Sequence, residues 1–251
     1  NDSDPQALAA CRASSLAARR FKFLTGVAHN NDALLVCSED DPSAALYKFA
    51  KDGSMDLLAT APVPFADTGF RQVAVHQQTQ RTYAVGQGNV VAILDADLQI
   101  VAPVEGVYAE PIGGLAVCGD QVIVLASNSQ SEVTMGFDGS VYGSFYPVYG
   151  LRLLDLDGRF LRIITAAKFR NPQSIAVSHG KAYVLDEVGD DYFDKDNVLH
   201  VIDIQSGDIL QSETILGSQG EVSSILVDGD EIYYTVFHAS EVAVLQFAGG
   251  E

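Results

Sequence analysis

The sequence has no tryptophan, two methionines and few basic residues among its 251 positions. Lysine and arginine number 15 against 33 aspartates and glutamates, so the formal net charge is 15 − 33 = −18. Nucleic acids and anionic membranes bind proteins through clustered cations, and this chain has no Lys/Arg-rich stretch. It also lacks any run of about 18 or more apolar residues. We therefore expect neither nucleic-acid binding nor membrane insertion.

Cysteine is also scarce. Cys11, Cys37 and Cys118 lie far apart and form no C-x-x-C pair, which excludes a paired-thiol zinc or redox motif. We interpret them as small buried hydrophobic residues, and a Cys11–Cys37 disulfide is the alternative if the protein is exported. The chain begins with Asn1 and has few lysines. With the family resemblance described below, these features lead us to expect a periplasmic or extracellular protein.

What the chain does contain is one unit that recurs five times. Hydrophobic residues make up 47% of the sequence, and a chain of this size buries roughly 70% of its unfolded surface. The second apolar run of each unit follows the one before it at spacings of 48, 40, 60 and 50 residues. These runs are ALLVC at 33–37, RTYAV at 81–85, QVIVL at 121–125, KAYVL at 181–185 and EIYYT at 231–235.

A third run follows each second run after a loop. These third runs are AALYKF from Ala44, NVVAILD from Asn89, LRLLDLD from Leu151, NVLHVID from Asn197 and EVAVLQF from Glu241. Alternation of apolar and polar residues is typical of half-buried strands, and Asp/Gly turns follow several of the runs. Four-stranded units that recur every 40 to 50 residues or so predict an all-β protein, a five-bladed β-propeller of four-stranded antiparallel blades.

The two ends of the chain predict how the ring closes. The fifth repeat stops after its third strand, and the extended segment 20–24 precedes the first repeat without belonging to it. We expect this N-terminal strand to complete the last blade, because closure removes open sheet edges. The alanine-rich residues 1–19 predict one short helix on the surface, or alternatively a lid over the pore. The domains are therefore 1–19, a helical segment, and 20–251, a single propeller.

The fourth unit has a distinctive order of residues: Phe-x-x-Pro, a short apolar strand, a turn, and a Tyr-Val strand that ends in Asp. The residues that form it are Phe169, Pro172, Ile175, Ala176, Val177, Tyr183, Val184 and Asp186. This pattern resembles the repeats of the NHL and YncE-like propellers. The resemblance implies a binding platform, with a minority of enzymes similar to the metal-dependent gluconolactonases.

The third unit carries a long insertion from Asn128 to Gly150, which we interpret as a binding loop. It contains four glycines and a concentration of aromatic residues: Phe137, Tyr142, Phe145, Tyr146 and Tyr149. The aromatic rings offer stacking surfaces for a saccharide or an apolar partner. The alternative is a satellite cluster packed beneath its own loop.

The fourth unit has an acidic loop after its second run. Its candidate metal ligands are Asp186, Asp190, Asp191, Asp194 and Asp196. Calcium takes six to eight oxygen ligands from such carboxylates, so Ca²⁺ or another divalent cation is the cofactor to consider. The spacing does not match an EF-hand, and a solvated acidic surface is the alternative.

Polar residues at the entries to the inner strands are predicted to face the central channel. With three of the aromatic residues, they form our set of ligand-binding candidates: Arg71, Glu110, Phe145, Tyr146, Tyr149, Arg170, Asn171 and Glu221. Salt bridges between the arginines and glutamates across the channel are the structural alternative. No nucleophile elbow, P-loop or dinucleotide motif is present, so nothing in the sequence supports nucleophilic or nucleotide chemistry.

These patterns favour a non-enzymatic propeller that binds a protein or saccharide ligand on its loop-rich face. The alternative is a metal-dependent lactonase or esterase. That enzyme would use Glu110, Asn171 and Glu221 to hold a divalent ion that polarises a lactone carbonyl.

Overall fold

The computed structural model describes residues 24–30, 33–38, 46–50, 56–61, 70–86, 91–104, 112–135, 141–189, 196–216, 222–228, 231–236 and 241–246. All regular structure in these residues is β-strand. None of the described residues forms a helix that is long and apolar enough to cross a membrane. The predicted N-terminal helix, residues 1–19, lies outside the described residues. The chain divides into two compact units, Asn1–Val107 and Tyr108–Glu251.

The first unit contains two four-stranded antiparallel sheets. Sheet 1 consists of β1 (Leu24–His29), β2 (Ala33–Ser38), β3 (Leu46–Ala50) and β4 (Leu57–Ala61), in that order. Sheet 2 consists of β5 (Phe70–His76), β6 (Arg81–Gly86), β7 (Val91–Leu94) and β8 (Ile100–Val104). In both sheets each strand pairs with the next one along the chain, which is the meander expected of a propeller blade.

The second unit contains three further sheets of the same topology. Sheet 3 consists of β9 (Ile112–Cys118), β10 (Gln121–Met135), β11 (Val141–Asp155) and β12 (Phe160–Phe169). Sheet 4 consists of β13 (Pro172–Ser178), β14 (Lys181–Val188), β15 (Asp196–Asp203) and β16 (Ile209–Leu216). Sheet 5 has three strands, β17 (Val222–Asp228), β18 (Glu231–Val236) and β19 (Glu241–Gln246).

The strand predictions from the repeats are confirmed. Every second run lies in the second strand of a sheet, and every third run overlaps the third strand. Among the described residues sheet 5 has no fourth strand, as expected of a repeat that stops at Phe247. One detail of the predicted closing strand is wrong. Leu24 begins β1 and pairs with Ser38, because it continues the first strand of sheet 1. A closing strand must therefore end before Leu24, and residues 20–23 lie outside the described part of the chain.

The first strand of every sheet has the same irregularity near its start. Its pairing with the second strand skips one residue, which is a β-bulge. The skipped residues are Thr25, Arg71, Gly113, Gln173 and Ser223. A bulge bends the strand and increases its twist, so all five sheets bend at equivalent points next to the loop that enters the sheet.

In the second unit, the central strands of sheet 4, β14 and β15, are buried on both faces. Val184 and Ile202 pack with residues of sheet 3 such as Leu125. Leu185 and Leu199 pack with residues of sheet 5. Burial on both faces explains why the centre of β14 is a continuous apolar run rather than an alternating one. In the first unit a separate cluster joins sheets 1 and 2.

The burial of Cys37 and Cys118 is consistent with our interpretation of these cysteines as hydrophobic residues. Cys37 is fully buried in the cluster between sheets 1 and 2, and Cys118 is partly buried. Both thiols are free, and burial raises the pKa of each. Cys11 lies outside the described residues.

Candidate functional site

A β-ribbon projects from sheet 3. Strands β10 and β11 pair without a register shift over fifteen residue pairs, from Gln121–Asp155 to Met135–Val141. The neighbouring strands are much shorter, because β9 pairs with β10 only as far as Ala126 and β12 pairs with β11 only from Tyr149 onward. We name the part beyond these points, residues 127–135 and 141–148, the ribbon. At about 3.3 Å per residue it extends roughly 30 Å past the sheet.

The prediction that residues 128–150 form a loop is wrong for most of this segment. The structure shows that most of it is regular strand, with residues 136–140 outside the described part. The serines and the asparagine in β10 have low strand propensity, so this part of the sequence does not show the alternation typical of a strand. A signal was nevertheless present. The dipeptide Asp138–Gly139 lies between two segments of similar length, and Asp-Gly is among the strongest hairpin signals in a sequence.

The register separates the predicted aromatic residues into two pairs. Tyr142 and Tyr146 are an even number of residues apart and occupy positions on one face of β11, whereas Phe145 and Tyr149 occupy positions on the other. The four positions therefore do not share one surface. Phe137 lies outside the described residues.

Beside the base of the ribbon lies an exposed two-residue loop, Arg170 and Asn171, between β12 and β13. Phe169, the last residue of β12, pairs with Tyr149 where the ribbon begins. Both loop residues are exposed to solvent. Two predicted binding residues, Arg170 and Asn171, thus lie close to the backbone of a third, Tyr149.

The carboxylate of Asp186, at the end of β14, positions this loop. Its Oδ1 accepts a hydrogen bond from the backbone N–H of Asn171 at 2.8 Å, and its Oδ2 accepts one from that of Arg170 at 3.0 Å. The side chain of Asp186 is 2% exposed. Glu187 continues the connection, since its N–H donates to the Asn171 carbonyl and its Oε2 accepts a bond from Asn171 Nδ2 at 2.6 Å.

Burial dominates the electrostatics of Asp186. It raises the pKa of the carboxyl, and the two backbone hydrogen bonds and the positive charge of Arg170 oppose that rise. The imidazole of His200 on β15 lies next to it, with Nε2 4.0 Å from Asp186 Oδ2. Burial lowers the pKa of His200. Its Nδ1 lies 2.8 Å from Ser212 Oγ, and its ring packs against Phe169.

The predicted metal ligands are only partly described. Asp186 is buried with both oxygens engaged by backbone N–H groups, whereas Asp196 is exposed at the start of β15. Asp190, Asp191 and Asp194 lie outside the described residues. Within the described ranges, no group of three or more His, Cys, Asp or Glu side chains is arranged to hold a metal ion.

The remaining candidates belong to other parts of the chain. Arg71 is the bulged residue of β5 and belongs to the first unit. Glu110 and Glu221 lie outside the described residues, so only Asn171 of the three lactonase candidates can be placed. Sequence reasoning missed the positioning role of Asp186 and the adjacent His200. The Asp that ends the Tyr-Val strand was the available signal, and it was assigned to metal binding.

Comparison with known proteins identifies the fold. No family model matches the sequence, and no curated protein matches it. A chain in the crystal structure of the nidogen/laminin complex has a TM-score of 0.63 at 11% identity, over 90% of this chain and 77% of that one. The β-propeller domain of Cps50 (Swd1) from Myceliophteria thermophila has a TM-score of 0.56 at 12% identity, over 85% of this chain and 62% of that one.

A third similar structure is the Pan2 WD40 domain from Neurospora crassa. It has a TM-score of 0.52 at 13% identity, and the alignment covers 90% of this chain and 64% of that one. Identities this low establish the fold alone. The chain has a β-propeller fold.

Proposed function

We propose that this protein is a non-enzymatic β-propeller that captures a protein partner through the ribbon and the adjoining Arg170–Asn171 loop. The observation that carries the proposal is the ribbon itself. It continues for nine residues beyond the last pairing of β10 with β9. Long excursions from compact scaffolds are usually functional.

The loop beside the ribbon supports the proposal. A buried carboxylate holds the backbone of Arg170 and Asn171, while both residues are exposed. A positioned loop loses less conformational entropy when it binds a partner than a mobile loop does. The loop therefore supplies a polar contact surface at the base of the ribbon.

The choice of a protein partner over a saccharide has two supports. β-Propellers commonly serve as protein-binding scaffolds, and one similar chain comes from a complex between nidogen and laminin. The register also favours a protein, because it places the four aromatic positions on two faces rather than on one stacking surface. A saccharide ligand remains the alternative within this function.

We also propose that the five sheets are the five blades of one propeller with NHL or YncE-like repeats. The shared topology and the bulge repeated in every first strand support equivalence of the sheets. In this proposal a strand that ends before Leu24 completes sheet 5. A divalent cation, if one binds, uses Asp190, Asp191, Asp194 and Asp196, because both oxygens of Asp186 already accept backbone hydrogen bonds.

A ribbon-shortened variant tests the binding function. Residues 129–147 are replaced by Asn-Gly, so that the directly paired Asn128 and Val148 become neighbours of a two-residue hairpin turn. The full chain and the variant are each screened against a phage-displayed dodecapeptide library and a glycan array. We expect selected peptides to bind the full chain and to lose at least about tenfold in affinity for the variant.

Circular dichroism and thermal melting provide the control, since sheet 3 should keep its core in the variant. Equal peptide affinity for both proteins would show that the ribbon is not the binding element. Selection of glycans but no peptides would replace the protein partner by a saccharide.

A further inference from the structure

One edge of the ribbon is open. From Ser127 to Met135, strand β10 pairs with β11 on one side, and no other described strand pairs with it on the side that β9 occupies lower in the sheet. The stretch is nine residues long and has no register shift. It therefore continues the plane of sheet 3 with an edge that none of the described strands pairs with.

The direction of the backbone groups along β10 follows from its first turn. Cys118 and Gln121 flank a two-residue hairpin, Gly119–Asp120, with Gly119 at φ +52°. The residue after such a turn donates its N–H back across it, so the backbone of Gln121 points toward β9. Direction alternates along an antiparallel strand, and every second residue therefore faces that side. In the open stretch these residues are Ser127, Ser129, Ser131, Val133 and Met135.

A proline on the opposite strand gives an independent check. Pro147 pairs with Ser129 in the uninterrupted register. Because proline has no N–H, it is tolerated where the backbone points away from the partner strand. The backbone N–H and C=O groups of Ser129 then also point away from β11, toward the open edge of β10. The turn and the proline thus give the same alternation of backbone direction along β10.

The open edge of β10 lacks the usual protection against strand addition. Natural edge strands carry lysine, proline or bulges, or are very short. Residues 127–135 contain no lysine, proline or glycine, and Glu132 is their only charged residue. The other edge of the ribbon differs, since β11 contains Pro147 and Gly143. Of the two edges, β10 is the one suited to accept a strand.

Charge indicates the kind of strand. Each chain carries a formal net charge of −18. Two copies repel each other, whereas a segment containing lysine or arginine is attracted and oriented by the acidic surface. Glu132 lies near the middle of the open stretch and offers a local carboxylate.

We infer that the β10 edge from Ser127 to Met135 binds an extended, basic segment of another protein as an added β-strand. This inference rests on the proposed binding function and specifies its partner. Main-chain hydrogen bonds to the five outward-facing residues supply the affinity, and alternate side chains of the added segment supply the specificity.

Two proline variants of the full chain test the inference. Ser131→Pro removes an outward N–H from the centre of the β10 edge and leaves the ribbon's own hydrogen bonds intact. Gly143→Pro is the matched control, because its backbone also points outward but on the β11 edge. The probe is the dodecapeptide most enriched on the wild-type chain, synthesised with and without N-methylation of alternate residues.

We expect this peptide to contain lysine or arginine and to lose about tenfold or more in affinity for Ser131→Pro, with less than about twofold change for Gly143→Pro. Two methylated peptides are compared, one with N-methyl groups on the odd-numbered residues and one with them on the even-numbered residues. One of the two should lose binding, because its N–H groups face β10, and the other should keep it. Ser129→Pro repeats the test if Ser131→Pro does not fold.

Other results overturn the inference in distinguishable ways. Equal binding to wild type and Ser131→Pro, with loss in the ribbon-shortened variant, would retain the binding function and reject strand addition. Binding retained in both variants would reject both proposals, as would the absence of any enriched peptide. Wild-type dimers in sedimentation velocity that Ser131→Pro converts to monomers would assign the edge to a second copy of this chain.

Discussion

The buried carboxylate of Asp186 accepts a hydrogen bond from the backbone N–H of Asn171 at 2.8 Å, although Asn171 itself is exposed. Fifteen residues separate the two in sequence. A group inside sheet 4 thus determines the conformation of a loop at the surface. This coupling links stability to the proposed binding surface and leads to the first prediction.

Asp186→Ala should destabilise the protein by about 2 kcal/mol or more, because it removes a buried carboxylate that accepts hydrogen bonds from two backbone N–H groups. Urea unfolding measures the loss. Asp196→Ala is the matched control, since Asp196 is exposed in the same sheet, and it should change stability by less than about 0.5 kcal/mol. Similar effects of the two substitutions would contradict the positioning role of Asp186.

The second prediction concerns pH and His200. Burial lowers the pKa of this imidazole, so the unfolded chain takes up its proton at a higher pH than the folded protein does. The contribution of His200 to stability is full above the ordinary imidazole pKa, near pH 6.5, and is lost as the pH falls toward the folded pKa. Asp186 and Ser212 are the polar groups beside the ring.

Between about pH 7.5 and about pH 5.5, the wild type should therefore lose more unfolding free energy than His200→Gln. The other four histidines are common to both proteins. Asp186 titrates in the opposite sense. Its raised pKa gives a contribution that is present below the ordinary carboxyl pKa and lost as the pH rises through the folded pKa. Identical pH profiles for the two proteins would exclude His200 as the titrating group.

The third prediction uses the two faces of the ribbon. Replacing both Tyr146 and Tyr149 by alanine should weaken retention of the selected peptide about tenfold without altering the melting temperature. The single substitutions separate the faces. Tyr146→Ala should behave like Tyr142→Ala, and Tyr149→Ala like Phe145→Ala, because each pair shares a face. Unchanged binding by the double variant would show that these aromatic residues do not contribute to peptide affinity.

The fourth prediction tests the proposed cation. If the loop after β14 binds Ca²⁺, the melting temperature should rise in a saturable way with Ca²⁺ after EDTA treatment. The combined substitution of Asp190, Asp191 and Asp194 by asparagine should abolish the rise, whereas Asp186→Asn should leave it in place. No shift in the wild type with any divalent ion would leave these carboxylates as a solvated surface.

The fifth prediction concerns closure of sheet 5. Removing residues 1–23 should lower the melting temperature by about 5 °C or more if a segment before Leu24 completes that sheet. Removing only residues 1–15 should have a much smaller effect. Equal melting temperatures for both truncated proteins and the full chain would exclude N-terminal closure.

The repeat pattern was sufficient to predict the strands, because burial between neighbouring sheets requires apolar runs such as 181–185 in every unit. The end of the fifth repeat also predicted that this repeat itself supplies only three strands of its sheet. Local sequence could not reveal the ribbon, since β10 contains serines and its regularity comes from pairing with β11 rather than from propensity. Nor could it reveal the function of Asp186, because the donors of its hydrogen bonds come from a distant loop.

The bulge that recurs in all five first strands has a consequence for how the repeats can diverge. Inserting one residue into a strand reverses which side chains face each neighbour beyond that point. In this protein the reversal occurs next to the loop that enters each sheet. The alternation of inward and outward side chains in the packed part of each first strand is therefore independent of the alternation on the loop side of the bulge. A substitution at a bulged position such as Arg71 therefore need not change which residues of the strand pack in the core.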